Sequence, residues 1–144
     1  MSKLIKTVVA QKPLMAEFTY LFDDTMVNTA AAEVAFKTIG TPAFDIIDLP
    51  VNSVVVGGEI VVETAFATST LATMSLGDSS STTRYSTTLD LKTAARTAIG
   101  ITGFRNSSGL AIRGTFNVTA ADSTAGKVTV RVLYIIKDRA DERM

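Results

Sequence analysis

The best-spaced pair of acids in this chain is Glu59 with Glu63. On an extended strand four residues place them about 13 Å apart along one face, wider than the carboxylate separations that glycosidases use. Two solvated charges on an outer face are the simpler reading. Asp23 and Asp24 precede Thr25 as a DD pair that could hold a hard cation, but the alternating acids of a calcium loop are missing and a turn is expected. Gly57-Gly58 and Gly100-Ile101-Thr102-Gly103 lack the glycine spacing, and the Lys or helix start, of a phosphate cradle. Serines are plentiful, yet no G-x-S-x-G elbow or S-x-x-K motif occurs.

The chain has neither Cys nor His. That removes disulfides, thiolate nucleophiles, the usual zinc ligands and any side chain that titrates near neutrality unperturbed. The acids and bases left are 14 carboxylates, 14 Lys and Arg, and 3 Tyr. No catalytic, cofactor-binding or metal-binding residues are assigned, and the chain is not expected to be an enzyme. A net charge of zero argues against nucleic-acid binding driven by bulk charge. No stretch is long and apolar enough for a secretory signal or a membrane span, so neither is expected. The absence of cysteine assigns no compartment.

The 144 residues suit one domain, 47% hydrophobic and 19% charged, with 21 Thr and 11 Ser against 9 Gly and 3 Pro. Such a composition points to strands joined by polar turns. The clearest periodicity is two-residue, which sends alternate side chains to opposite faces of a sheet. Leu110, Ile112, Gly114, Phe116 and Val118 form one such set, and Val128, Val130, Val132, Tyr134 and Ile136 another. Leu133 and Ile135 suggest that the second strand is covered on both faces near its end. Because Ala120 to Gly126 is a turn-rich connection, the two strands are expected to pair as a hairpin. Ser53 to Phe66 reads as a long strand, with Gly57-Gly58 marking a bulge or bend where it passes from one sheet to another. Its expected hairpin partner is Leu71 to Gly77. Met15 to Phe22 and Ala32 to Ile39 add further strands.

Asp90 to Ala98 is the one segment that invites a helix, with Asp90 as its N-cap. Gly77 to Arg84 reads as a polar surface loop. An Asp–Arg pair among Arg84, Asp90 and Arg96 would pin that loop to the helix. Phe104-Arg105 reads either as an interface anchor, given the enrichment of aromatics and Arg at binding hot spots, or with Phe104 in the core. The expected fold is all-β: an antiparallel β-sandwich, jelly-roll-like, of about eight strands with one short helix, a closed barrel being the alternative. Residues 1–14 read as an N-terminal arm or first strand, 15–137 as the sandwich domain and 138–144 as a charged tail.

Several stretches together resemble a family of tailed-bacteriophage capsid decoration, or cement, proteins. They are LPVNSVVVGGEIVVETAF (Leu49 to Phe66), L-G-D at Leu76 to Asp78 followed by Arg84-Tyr85, DLKTAART (Asp90 to Thr97) and AGKVTVRVLYI (Ala125 to Ile135) with Arg139-Ala140 behind it. They cover roughly the C-terminal two-thirds, and Met1 to Asp48 carries no match. The resemblance implies a non-catalytic β-sandwich on the outer surface of the virion capsid, a homotrimer that bridges subunits of the major capsid protein, with no cofactor, nucleic-acid or membrane partner. On that footing the segment Lys3 to Gln11, with Lys3, Leu4, Ile5 and Lys6, and the tail, with Arg139 and Arg143, are the expected assembly contacts beside Phe104 and Arg105. A phage tail or neck component, or a carbohydrate-binding sandwich module, are the alternatives.

Overall fold

The computed structural model describes residues 12–67 and 70–137. In chain order its strands are β1 (Leu14–Leu21), β2 (Thr25–Val27), β3 (Glu33–Ala35), β4 (Ala43–Ile47), β5 (Ser53–Thr64), β6 (Leu71–Gly77), β7 (Ser86–Asp90), β8 (Ala95–Ala98), β9 (Arg105–Asn106), β10 (Ile112–Thr119) and β11 (Lys127–Ile136). One sheet runs β1-β11-β5-β8, with β9 also pairing to β5; the other runs β4-β10-β6-β7; β2 and β3 form a separate ribbon. Every pairing is antiparallel.

This order has a simple logic. β1 pairs with β11, β4 with β10, β5 with β8 and β6 with β7, so the chain is one long hairpin whose successive strand pairs alternate between the two layers. Rolled up in this way, eight strands make a jelly roll. The sandwich expected from the two-residue periodicity is present, and the two separate sheets set aside the closed barrel.

The pairing partners differ from the hairpins that adjacency suggests. β10 and β11 lie in different sheets, as do β5 and β6, so neither neighbouring pair forms a hairpin. Alternation reports which face is buried and carries no information on which neighbour supplies the hydrogen bonds. The expected helix is also absent among the described residues. Asp90 ends β7, and Ala95–Ala98 form β8 against Glu59 to Val62 of β5. Asp90 closes a turn instead of capping a helix: its Oδ1 accepts from Lys92 N and its Oδ2 from Thr93 Oγ1, both at 2.9 Å. A nine-residue helix is marginal by itself, and pairing with the edge of β5 wins.

A bulge does occur in β5, but the strand stays in one sheet. The register with β11 steps from Leu133↔Gly57 to Tyr134↔Val55, leaving Val56 unpaired. The extra residue changes the parity of burial, so Val55 points inward with Ile60 and Val62, whereas strict alternation places Val54 and Val56 with them. Gly58 follows at φ 144°, and a Cβ there would fall 2.2 Å from the carbonyl oxygen of Arg131. Only glycine fits both the angle and the approach.

The inward faces meet around an aromatic cluster. The Phe36 ring lies 4.4 Å from Tyr20, 4.7 Å from Phe44 and 5.3 Å from Phe116, centroid to centroid. Pairs at these separations contribute about 0.5–1.5 kcal/mol each beyond the area they bury. Ile112, Gly114, Phe116 and Val118 of β10 face this cluster, and Val128, Val130 and Val132 of β11 complete it from the other sheet, as their alternation suggests. Leu133 departs from expectation: it is 37% exposed, so the end of β11 is not covered on both faces among the described residues.

Candidate assembly surfaces

Between β6 and β7 the polar run Gly77 to Arg84 is organised from inside. Asp78, read from sequence as part of a surface loop, is buried. Its Oδ1 accepts from Ser80 N, Ser80 Oγ and Ser81 N, and its Oδ2 from Arg84 Nε at 2.6 Å. Burial pushes the Asp78 pKa up, but the hydrogen bonds from Arg84, Ser80 and the two backbone amides outweigh it and hold the carboxyl below its ordinary value. The Arg84 guanidinium also donates to Ser80 Oγ and lies 3.5 Å from the centroid of the Phe104 ring. Asp78 through Arg84 therefore fixes the β8–β9 loop as well as its own. The Asp–Arg pair expected to pin this loop uses Asp78, not Asp90.

On the outer face of the five-stranded sheet, charges alternate across the strands. Glu17 of β1 pairs with Arg131 of β11, Arg131 with Glu59 of β5, and Glu59 with Arg96 of β8. Beside this row, Glu63 takes hydrogen bonds from Lys127 Nζ at 2.9 Å and Thr129 Oγ1 at 2.7 Å. The Arg96 bond is the main cause that holds the Glu59 carboxyl low, and the Lys127 bond does the same for Glu63. Both glutamates are thus tied up in cross-strand ion pairs, as opposite charges facing each other on a sheet surface should be. Asp24 likewise serves a turn, its Oδ2 accepting from Leu21 N at 2.7 Å. Among the described residues no three His, Cys, Asp or Glu side chains gather in a way that could hold a metal ion.

Of the residues singled out for assembly, Lys3, Leu4, Ile5, Lys6, Arg139 and Arg143 lie outside the described residues. Phe104 is half-buried against Arg84, and Arg105 is exposed on β9, where its Nε donates to Asn52 Oδ1 at 3.2 Å. The register Leu14↔Tyr134 puts the start of β1 beside the end of β11. No aromatic ring is exposed: all ten Phe and Tyr are buried or half-buried.

This strand order can be compared with those of solved structures. The fold is shared with chains of phage capsids. A chain of the cyanophage Pam1 capsid asymmetric unit superposes with a TM-score of 0.64 at 20% identity, over 94% of this chain and 93% of that one. A chain from the acidic stable capsid structure of Helicobacter pylori bacteriophage KHP30 gives 0.60 at 17% identity, over 88% and 89%. One from the capsid of Ralstonia phage GP4 gives 0.55 at 10% identity, over 94% and 91%. No protein-family model matches the chain, and no curated protein matches its sequence.

Proposed function

We propose that this chain is a virion structural protein that decorates the outer surface of a tailed-phage capsid as a trimer, bridging major capsid subunits without catalysis. The observation that carries the reading is the jelly roll shared from end to end with a chain of the Pam1 capsid asymmetric unit, 94% of one and 93% of the other. Resemblance of the Leu49 to Ile135 motifs to decoration proteins points the same way. The chemistry is compatible: Glu17, Arg131, Glu59 and Arg96 pair with one another across the outer sheet, and Glu63 pairs with Lys127, which suits a structural surface. Packaged DNA presses outward on a head, and a clamp repeated over the lattice slows subunit separation by summing many weak contacts. The segment Lys3 to Gln11 and the charged tail are the proposed contacts with the shell.

The test is to titrate the purified chain onto heads assembled without it and to image them. Occupancy of repeated lattice positions on the outside supports the reading. Density confined to the tail or neck, or heads left bare at saturating protein, overturns it. Deleting Met1 to Thr7 should lower occupancy while the melting temperature of the free protein stays unchanged.

A further inference from the structure

The two edges of the five-stranded sheet carry opposite charge. Residues 12–37, which supply the edge strand β1 and the β2–β3 ribbon beside it, contain Glu17, Asp23, Asp24 and Glu33 against Lys12 and Lys37, the last with its Nζ 5.9 Å from the Phe22 ring. Residues 90–109, which supply β8 and β9 at the other edge, contain Lys92, Arg96 and Arg105 against Asp90 alone. Glu17 is paired with Arg131 and Arg96 with Glu59, and Asp24, Glu33, Lys92 and Arg105 each make a hydrogen bond to a neutral group within the chain, yet the Arg96 side chain remains 73% exposed and that of Glu17 46%.

Each edge also bears an apolar feature of the opposite shape. Beside β1, the half-buried Phe18 and Met26 and the exposed Thr19, Asp24 and Thr25 border an open depression of about 440 Å³ that is underlain by the buried Phe36. At the other edge the β8–β9 loop holds Ile101, 63% exposed. That loop is held in place at both ends. Gly100 N donates to the Tyr85 carbonyl at 2.8 Å, Gly103 takes φ 71°, and Phe104 is capped by Arg84. A large aliphatic side chain presented on a fixed loop has already lost much of the freedom that binding would otherwise remove.

We propose that these edges join copies of this chain head to tail, with Ile101 of one copy seated against Phe18 and Met26 of the next. The basic β8–β9 edge then faces the acidic edge of β1 and the ribbon, and the free edge of β1 is covered. Because the two surfaces differ, the contact is heterologous and closes into a ring when the rotation between copies allows it. The proposal deepens the decoration reading by naming the surfaces through which a trimer forms, and it rests on that reading for the size of the ring.

The chain has no cysteine, so Ile101→Cys and Thr25→Cys introduce the only thiols. A short bismaleimide should link the double variant into dimers and larger products. An equal mixture of the two single variants should give dimers, and each single variant alone should remain unlinked. Linked dimers from Ile101→Cys alone would mean that like meets like and would overturn the proposal, as would a double variant that stays unlinked. Ile101→Asp, with its fold checked by circular dichroism, should weaken self-association at least about tenfold in light scattering, since it removes the apolar anchor and asks a charge to enter its seat. Unchanged mass would again overturn it. Heads take no part in these measurements: linkage as expected by a chain that leaves heads bare sinks the decoration reading alone, and head binding by a chain that never links sinks the edge proposal alone.

Discussion

Arg84 bonds the buried Asp78 carboxylate through its Nε at 2.6 Å while its guanidinium covers the Phe104 ring at 3.5 Å. One side chain thus couples the β6–β7 loop to the β8–β9 loop. Lysine keeps the charge but loses the planar fork and the stacking, so Arg84→Lys should lower stability by about 1 kcal/mol. Asp78→Asn removes the charge that neutralises Arg84 and halves the acceptor capacity facing Ser80, Ser81 and Arg84. Its cost should be about 2–3 kcal/mol. In urea unfolding the double variant should cost clearly less than the sum, the sign of a shared network; strict additivity would show that the two residues act separately.

Acid should weaken the fold in a defined window. The carboxyls of Asp78, Glu59 and Glu63 are all held below their ordinary values in the native state. At low pH the unfolded chain therefore binds more protons than the folded one, and stability rises with pH there. The contribution is complete above the unfolded carboxyl values of about 4 and is lost as pH falls through the lower native values. With no His in the chain, the melting temperature should be flat through neutrality and drop below about pH 4. Asp78→Asn should make that drop shallower. An equal slope in the variant would remove Asp78 from the acid response.

Two glycines separate backbone crowding from backbone angle. A Cβ on Gly77 would fall 2.1 Å from the carbonyl oxygen of Ser81 and 2.4 Å from the carbonyl carbon of Thr82, both backbone atoms of the loop that Asp78 holds. Gly77→Ala must therefore displace that loop, at a cost expected to exceed about 2 kcal/mol. Gly103 takes φ 71° with nothing within 4 Å of where a methyl group would sit, so Gly103→Ala meets only the left-handed penalty of about 1 kcal/mol. Thermal melts of the two variants should rank in that order, and the reverse order would contradict the loop packing.

The burial of β10 and β11 is legible in the sequence because Ile112, Phe116 and Val118, and Val128, Val130 and Val132, alternate strictly along their strands. Pairing is not legible, since a rolled hairpin brings β10 beside β6 and β4 while its sequence neighbour β11 joins the opposite layer. Val56 hides in the same way: a bulge shifts parity without changing composition, so Val55 and Val54 exchange faces. Asp90 to Ala98 misleads because alanines favour a helix locally whereas the open side of β5 supplies a partner that only the tertiary fold creates. Asp78 carries a local signal, an Asp followed by Ser80 and Ser81 and then Arg84, that a purely compositional reading of the run treats as solvent-exposed. Phe104 stands out in the sequence through its neighbour Arg105, but the guanidinium that covers its ring belongs to Arg84, twenty residues upstream, and needs the fold to arrive.

At the centre of the core a polar atom has little to do. The Tyr20 hydroxyl is fully buried, and its hydrogen bond runs to the Met74 sulfur at 3.6 Å. Burial alone drives its pKa well above the ordinary tyrosine value, so the group stays neutral throughout the useful pH range. A thioether is a weak acceptor and returns little of what desolvating the hydroxyl costs. Tyr20→Phe keeps the ring against Phe36 and Phe116 and should change stability by less than about 0.5 kcal/mol in either direction. Phe116→Ala, which empties the space between Tyr20, Phe36 and Phe44, should cost about 3–5 kcal/mol. Chemical denaturation of both variants decides the matter: a Tyr20→Phe loss approaching that of Phe116→Ala would mean that the hydroxyl, and not the ring stack, organises this core.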